Sequence, residues 1–165
     1  MNTEVRSDWY VSAEDWERDF VNEYGEKFNI IINPSKKLSK YAPDLYLLKE
    51  SKSADLKLLK EPFYKAKQTF NIPARFCWTF NPSDLFEYSV KHSDCFGIFI
   101  WKKFKDSEKY NTKIEEETEV YYTTLGGLKP LCQGKIHQYV RRMNDTNGNS
   151  YGSYGIDLRK LRKIA

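Results

Sequence analysis

The sequence predicts an α/β fold with a mixed central sheet flanked by helices. Three features point to it: an amphipathic helical stripe near the start, a succession of short apolar runs bounded by Pro, Gly and Asn, and a second helix between two of those runs. At 165 residues and about 19.6 kDa the chain suits one domain, 1–165.

Ser12 is the expected cap of the first helix, whose stripe is Trp16, Phe20 and Tyr24 with Val21 beside it, and Gly25 its stop. A strand over 28–32 ends at Asn33-Pro34, and a basic loop, 36–42, follows. Residues 44–49 and 54–60 read as two strands of a hairpin joined by the polar turn 50–53. In the second, Asp55, Lys57 and Leu59 share one face, and Leu56 and Leu58 the other. The stretch 61–73 reads as loop with at most one helical turn, and 76–80 as a strand of high β-propensity. Asn81-Pro82 opens a helix to about Val90. Residues 96–101 form the most apolar strand and are expected at the centre of the sheet. Residues 102–119 are polar and read as a surface excursion, 120–124 as a strand, 133–142 as a helix, and 144–155 as turn chemistry. Leu158, Leu161 and Ile164 recur every third residue, so the last turn is expected to pack or to help a homodimer form.

Charged residues make up 30% and aromatics 16%, which excludes a disordered chain. No apolar run reaches the roughly 20 residues that span a bilayer, and the polar start resembles neither a signal nor a transit peptide. The three cysteines, Cys77, Cys95 and Cys132, are far apart and fit neither a zinc pattern nor a disulfide framework. An intracellular, cytoplasmic protein is the expectation. The net charge of +4 is unevenly spread: residues 1–26 hold eight acids against Arg6 and Arg18, so the remainder is strongly basic. That asymmetry suits a polyanionic partner.

The chemistry-bearing segment is Pro43-Asp44 … Asp55-Leu56-Lys57. A hairpin can bring the two carboxylates to one end of the sheet, where they repel unless a cation lies between them. Hard oxygen ligands favour Mg²⁺ or Mn²⁺ over zinc, which makes Asp44 and Asp55 the candidate metal ligands. Lys57 projects from the face of Asp55, placed to stabilise charge on a phosphate under attack or, with a lowered pKa, to take a proton from water. A third carboxylate from the first helix would complete the set. Glu17, at the edge of the apolar stripe, is the choice, with Glu14 and Glu23 as alternatives.

The arrangement Glu17 … Pro43-Asp44 … Asp55-x-Lys57 resembles the PD-(D/E)xK nuclease superfamily, and the element order is similar to its restriction-endonuclease-like α-β-β-β-α-β core. The stretch from Pro43 to Trp101 is similar to small phage or plasmid members, and the resemblance implies a nuclease-like core over about 12–101 with 102–165 as an elaboration. The resemblance implies a Mg²⁺-dependent endonuclease or resolvase acting on DNA, with Asp44 and Asp55 on the metal, Lys57 at the water and Glu17 assisting. It also implies a Gln or Lys after the third strand, for which Gln68 and Lys65 are candidates, although the extra strand 76–80 departs from the pattern.

Lys65, Lys67, Arg75, Arg141, Arg142, Arg159 and Lys160 are candidates for a phosphate-backbone groove, with Phe63 and Tyr64 interleaved for base stacking. His92 and His137 lack partners at ligand spacing, which argues against a zinc or HNH-type site. The Asp145–Asn149 run fails as a calcium loop because Ser150 and Ile156 stand where glycine and glutamate are required. Glu115, Glu116, Glu117 and Glu119 read as a solvated run. Two alternatives differ in class: a non-catalytic nucleic-acid-binding module on a nuclease scaffold, and a protein-interaction factor of a mobile element.

Overall fold

The computed structural model describes residues 3–91, 95–134, 136, 137 and 152–165, with side chains from residue 15 onward. Helix α1 (Thr3–Phe28) leads into β1 (Ile30–Ile32), β2 (Leu45–Leu47) and β3 (Lys52–Leu59). A crossover then carries α2 (Ala66–Phe70), β4 (Cys77–Phe80) and α3 (Pro82–Val90) before β5 (Cys95–Phe104). The rest comprises β6 (Ser107–Lys109), β7 (Thr112–Ile114), β8 (Glu117–Thr124), α4 (Leu125–Leu128), β9 (Ile136–His137), β10 (Ser153–Asp157) and β11 (Arg162–Lys163).

The main sheet has six strands in the order β1-β2-β3-β5-β8-β11. It is mixed: β1, β2 and β3 form an antiparallel meander, β5 runs parallel to β3, and β8 returns antiparallel. The α/β class expected from the sequence is therefore present. Strand β5 is buried on both faces. Phe99 and Trp101 meet Phe20 of α1, while Ile98 and Ile100 meet Tyr88 of α3 and the small sheet β4-β10-β9. That two-sided burial is why its sequence reads as a continuous apolar run.

Several expected boundaries move. α1 starts well before Ser12 and passes through Gly25 to Phe28, whose ring stacks on Tyr24 and Phe99. The stop is Asn29, in the left-handed conformation at φ 54°. Gly25 instead permits a close approach: a Cβ there would meet the Ile30 carbonyl oxygen at 3.0 Å. The hairpin turn is 48–51, two residues earlier than expected, because Leu47 pairs with Lys52. Asn81 caps α3 as expected, its side chain accepting from the Ser83 N–H.

The stretch 102–119 is not a surface excursion. β5 continues to Phe104, β6 and β7 form a hairpin, and β8 begins at Glu117. Lys102 is fully buried, its Nζ held by Glu117 at 3.1 Å, Glu119 at 2.6 Å and the Arg75 carbonyl at 3.0 Å. Glu117 and Glu119 are thus not part of a solvated run, whereas Glu115 and Glu116 are exposed. Strand β9 replaces the start of the helix expected over 133–142, and β10 occupies part of the expected turn region. The remainder of that helix, and the Asp145 run, lie outside the described residues. Strand β4 joins the small sheet, not the main one. Leu158 is buried and Leu161 and Ile164 pack partly against the two cores, so the last segment covers its own chain.

Candidate functional site

The β2–β3 register pairs Leu45 with Ala54, so Asp44 stands one step further out, opposite Asp55. Alternation along β3 then puts Lys57 beside Asp55, with Nζ 3.2 Å from Asp55 Oδ2. The backbone Leu56 N–H donates to Asp44 Oδ2 at 3.0 Å, which anchors that carboxylate. A register irregularity between β3 and β5 falls at Ser53 and Ala54, next to Asp55. Such bulges re-aim neighbouring side chains.

Glu17 reaches the same end of the sheet from α1 and is 9% exposed. It meets Asp44 through an intermediary: Lys36 Nζ donates to Glu17 Oε1 and Oε2, each at 2.6 Å, and to Asp44 Oδ1 at 2.8 Å. Lys36 lies in the single turn Pro34–Lys37. That turn is started by Asn33, which accepts from the Ser35 N–H and donates to the Pro43 carbonyl at 2.9 Å. One buried asparagine thus ties the Lys36 turn to the residue preceding Asp44. A groove of about 590 Å³, walled in part by Glu17, Arg18, Lys36 and Lys37, opens beside the pair.

The other side is closed by α3. Tyr88 OH donates to Asp55 Oδ2 at 2.5 Å, and Lys57 Nζ also reaches Asp84 Oδ2 at 3.0 Å. Burial, followed by the charge of Asp44, pushes the Asp55 carboxyl up to about 7, against the pull of Lys57. A hydrogen bond with the Asp44 carboxyl acts in the same direction, so the two acids are neighbours. Burial draws the Lys57 ammonium down, but Asp55, Tyr88 and Asp84 outweigh it and hold it well above its ordinary range. Lys57 therefore stays protonated.

All four expected residues, Glu17, Asp44, Asp55 and Lys57, are gathered within one chain of contacts. Among the described residues no three acidic, histidine or cysteine side chains form a ready-made metal-ligand set. The Lys36 ammonium sits where Glu17 and Asp44 converge, marking that point as one that draws a cation. Hard carboxylate oxygens around it suit Mg²⁺ or Mn²⁺. Glu23 is exposed elsewhere on α1, and the side chain of Glu14 lies outside the described residues. Lys65 caps the Tyr110 ring and Gln68 is exposed on α2; neither has a described contact with the site.

Sequence reasoning missed Lys36, Asp84 and Tyr88. The Asn33-Pro34 cap signal preceding Lys36 was visible; the partners on α3 had no local signal, since they lie 27 and 33 residues from the β3 residues they touch. The expected phosphate groove fares unevenly. Arg75 is committed to Glu117 through its Nε at 2.8 Å, and Arg159 to Asp157 at 2.9 Å. Both guanidinium carbons lie 5.0 Å from the Phe76 ring centroid. Lys67 and Lys160 are exposed, while Arg141, Arg142 and His92 lie outside the described residues. His137 packs against Phe63 and Phe70. Among the described residues no helix is long and apolar enough to cross a membrane. No protein-family model, characterised protein or solved structure matches this chain.

Proposed function

We propose that the chain is a Mg²⁺- or Mn²⁺-dependent endonuclease or resolvase that hydrolyses DNA phosphodiester bonds. The observation that carries this reading is the convergence of Glu17 and Asp44 on one cation beside the Asp55–Lys57 pair. The fold lends support: a helix, an antiparallel meander and a crossover to a parallel strand follow the order of the restriction-endonuclease-like core. In this reading Asp44 and Asp55 would hold the divalent ion and Glu17 would assist, the ion competing with the Lys36 ammonium for the same oxygens. When bound, the ion supplies Lewis-acid polarisation of the phosphate and a more acidic water. Lys57, kept cationic, stabilises negative charge developing on the phosphoryl oxygens. Tyr88 and Asp84 hold Asp55 and Lys57 in place, which limits reorganisation at the moment of reaction.

One observation favours the alternative of a non-catalytic nucleic-acid-binding module: Lys36 already neutralises Glu17 and Asp44. Incubating the protein with supercoiled plasmid, branched DNA and RNA, with and without Mg²⁺ or Mn²⁺, separates the two. Cation-dependent nicked or linear product is expected. Retention of nucleic acid with no product under any cation would overturn the enzymatic reading.

A further inference from the structure

On the far side of Glu17, a groove of about 450 Å³ lies between α1 and the distal ends of β3 and β5. That size falls within the roughly 300–1,000 Å³ usual for ligand sites. Trp101 floors it, half-buried Trp16 and Tyr64 line it, and the exposed Lys60, Lys103 and Lys105 surround them. The lysines lie over the rings: Lys60 Nζ is 4.0 Å from the Trp16 ring centroid and Lys103 Nζ 4.3 Å from that of Trp101. The pattern continues outward, with Lys109 over Tyr64 at 5.8 Å and Lys65 over Tyr110 at 4.6 Å. Tyr110 is itself 64% exposed at the tip of the β6–β7 hairpin.

These five lysines differ from the cations held in ion pairs, although among the described residues Lys27, Lys37 and Lys52 are likewise without an acid partner. Among the described residues none of them is paired with an acid, whereas Lys36, Lys57, Arg75, Lys102, Arg159 and Lys163 all are. Asp19 and Glu61 also line the groove but leave the lysines in excess. Ammonium groups over aromatic faces, open to solvent, present what an unpaired strand needs: cations for its phosphates and rings on which its bases stack. Duplex DNA, with its bases already stacked, uses only the first.

We infer that this groove binds a single-stranded segment of nucleic acid, one base stacking on Trp16 and its phosphates running over Lys60, Lys103 and Lys105. Trp16 adjoins Glu17 in α1, so a strand seated here runs along the α1 face of the sheet next to Glu17, while Asp55 and Lys57 project from the opposite face of β3 towards α3. The inference rests on the nucleic-acid reading above and narrows its substrate to DNA with an unpaired end, flap or branch. Its test needs no cleavage.

Fluorescence anisotropy of a labelled oligothymidylate, in EDTA, should show tighter binding than the same length of duplex or of an abasic strand. The triple variant Lys60→Gln, Lys103→Gln, Lys105→Gln should lose affinity and flatten the log–log salt slope by about 2, at roughly 0.7 per phosphate contact. Trp16→Ala should weaken binding at least fivefold, and Trp16→Phe should restore most of it, with circular dichroism verifying the fold of each. Binding is read in EDTA without any cleavage, so failure of the groove and failure of the cleavage reading are told apart. Equal affinity of wild-type protein for abasic and thymidine strands would overturn the inference, as would wild-type affinity and slope in the triple variant.

Discussion

Two buried ion clusters lie at different ends of the main sheet, and their balances are opposite. Around Lys102, two carboxylates, Glu117 and Glu119, meet three cations, Lys102, Arg75 and Lys163. Burial pushes Glu119 up, but hydrogen bonds with Glu117, then with Lys102 and Lys163, outweigh it and draw the carboxyl down to about 2. Around Asp44, four carboxylates, Glu17, Asp44, Asp55 and Asp84, share two ammonium groups, Lys36 and Lys57. There Asp55 is driven up to about 7. The first cluster is satisfied by the chain itself and serves the fold. The second is short of positive charge, which is consistent with the cation-binding reading proposed for it.

The comparison can be broken in order of effect. Substituting Asp55→Ala should lower Mg²⁺-dependent plasmid nicking by about 10³-fold or more, with an unchanged circular dichroism spectrum. A cutting rate equal to wild type would remove Asp55 from the site. At the other cluster, Glu119→Gln should cost on the order of 1–3 kcal/mol in urea unfolding at pH 7, since it leaves buried Lys102 with Glu117 and the Arg75 carbonyl but without one of its two carboxylates. Because the Glu119 pKa is lowered on folding, its contribution is present above about 4.5 and fades as pH falls through about 2. The gap between variant and wild type should close over that window.

Asp55 should behave with the reverse sign. Its pKa is raised from 3.8 to about 7, so ionisation destabilises the wild type as pH rises between those values. Asp55→Asn escapes that loss: no gain is expected at pH 4, and a rising thermal midpoint relative to wild type up to pH 7–8. Linkage sets a ceiling of about 4 kcal/mol, reduced by the partner that Lys57 loses. A gain that is flat with pH would mean that the two clusters do not differ as described. The smallest effect concerns Lys36. Removing this resident cation in Lys36→Met should tighten Mn²⁺ binding about tenfold, or about 1.4 kcal/mol, read by titration calorimetry. Weaker Mn²⁺ binding would make Lys36 a strut instead of a competitor.

Much of the site was legible because it depends on local periodicity. Pro43-Asp44 and Asp55-Leu56-Lys57 sit on neighbouring strands of a hairpin, and strand alternation alone puts Asp55 and Lys57 on one face. Glu17 followed from its place at the edge of an apolar stripe. What stayed hidden came from packing between distant segments. Lys36 meets Glu17 across 19 residues, and Tyr88 meets Asp55 across 33. Lys102 was misread for another reason: a lysine after an apolar strand looks like the start of a solvated loop. Yet Ile98, Ile100 and Lys102 occupy one face of β5, and that face is buried to its end.

The sequence by itself determined the α/β class, the central place of the 96–101 run, the capped helix at Asn81 and the candidate acid–lysine set. Those features are written in hydrophobic period and turn chemistry, which act over a few residues. Only the tertiary structure decided which charges face one another. It paired Arg75 and Arg159 with acids, left Lys60 and Lys103 over aromatic rings, and set Lys36 between two carboxylates. Coulomb and desolvation energies depend on distance and burial in space, and neither is encoded in the spacing of residues along a chain.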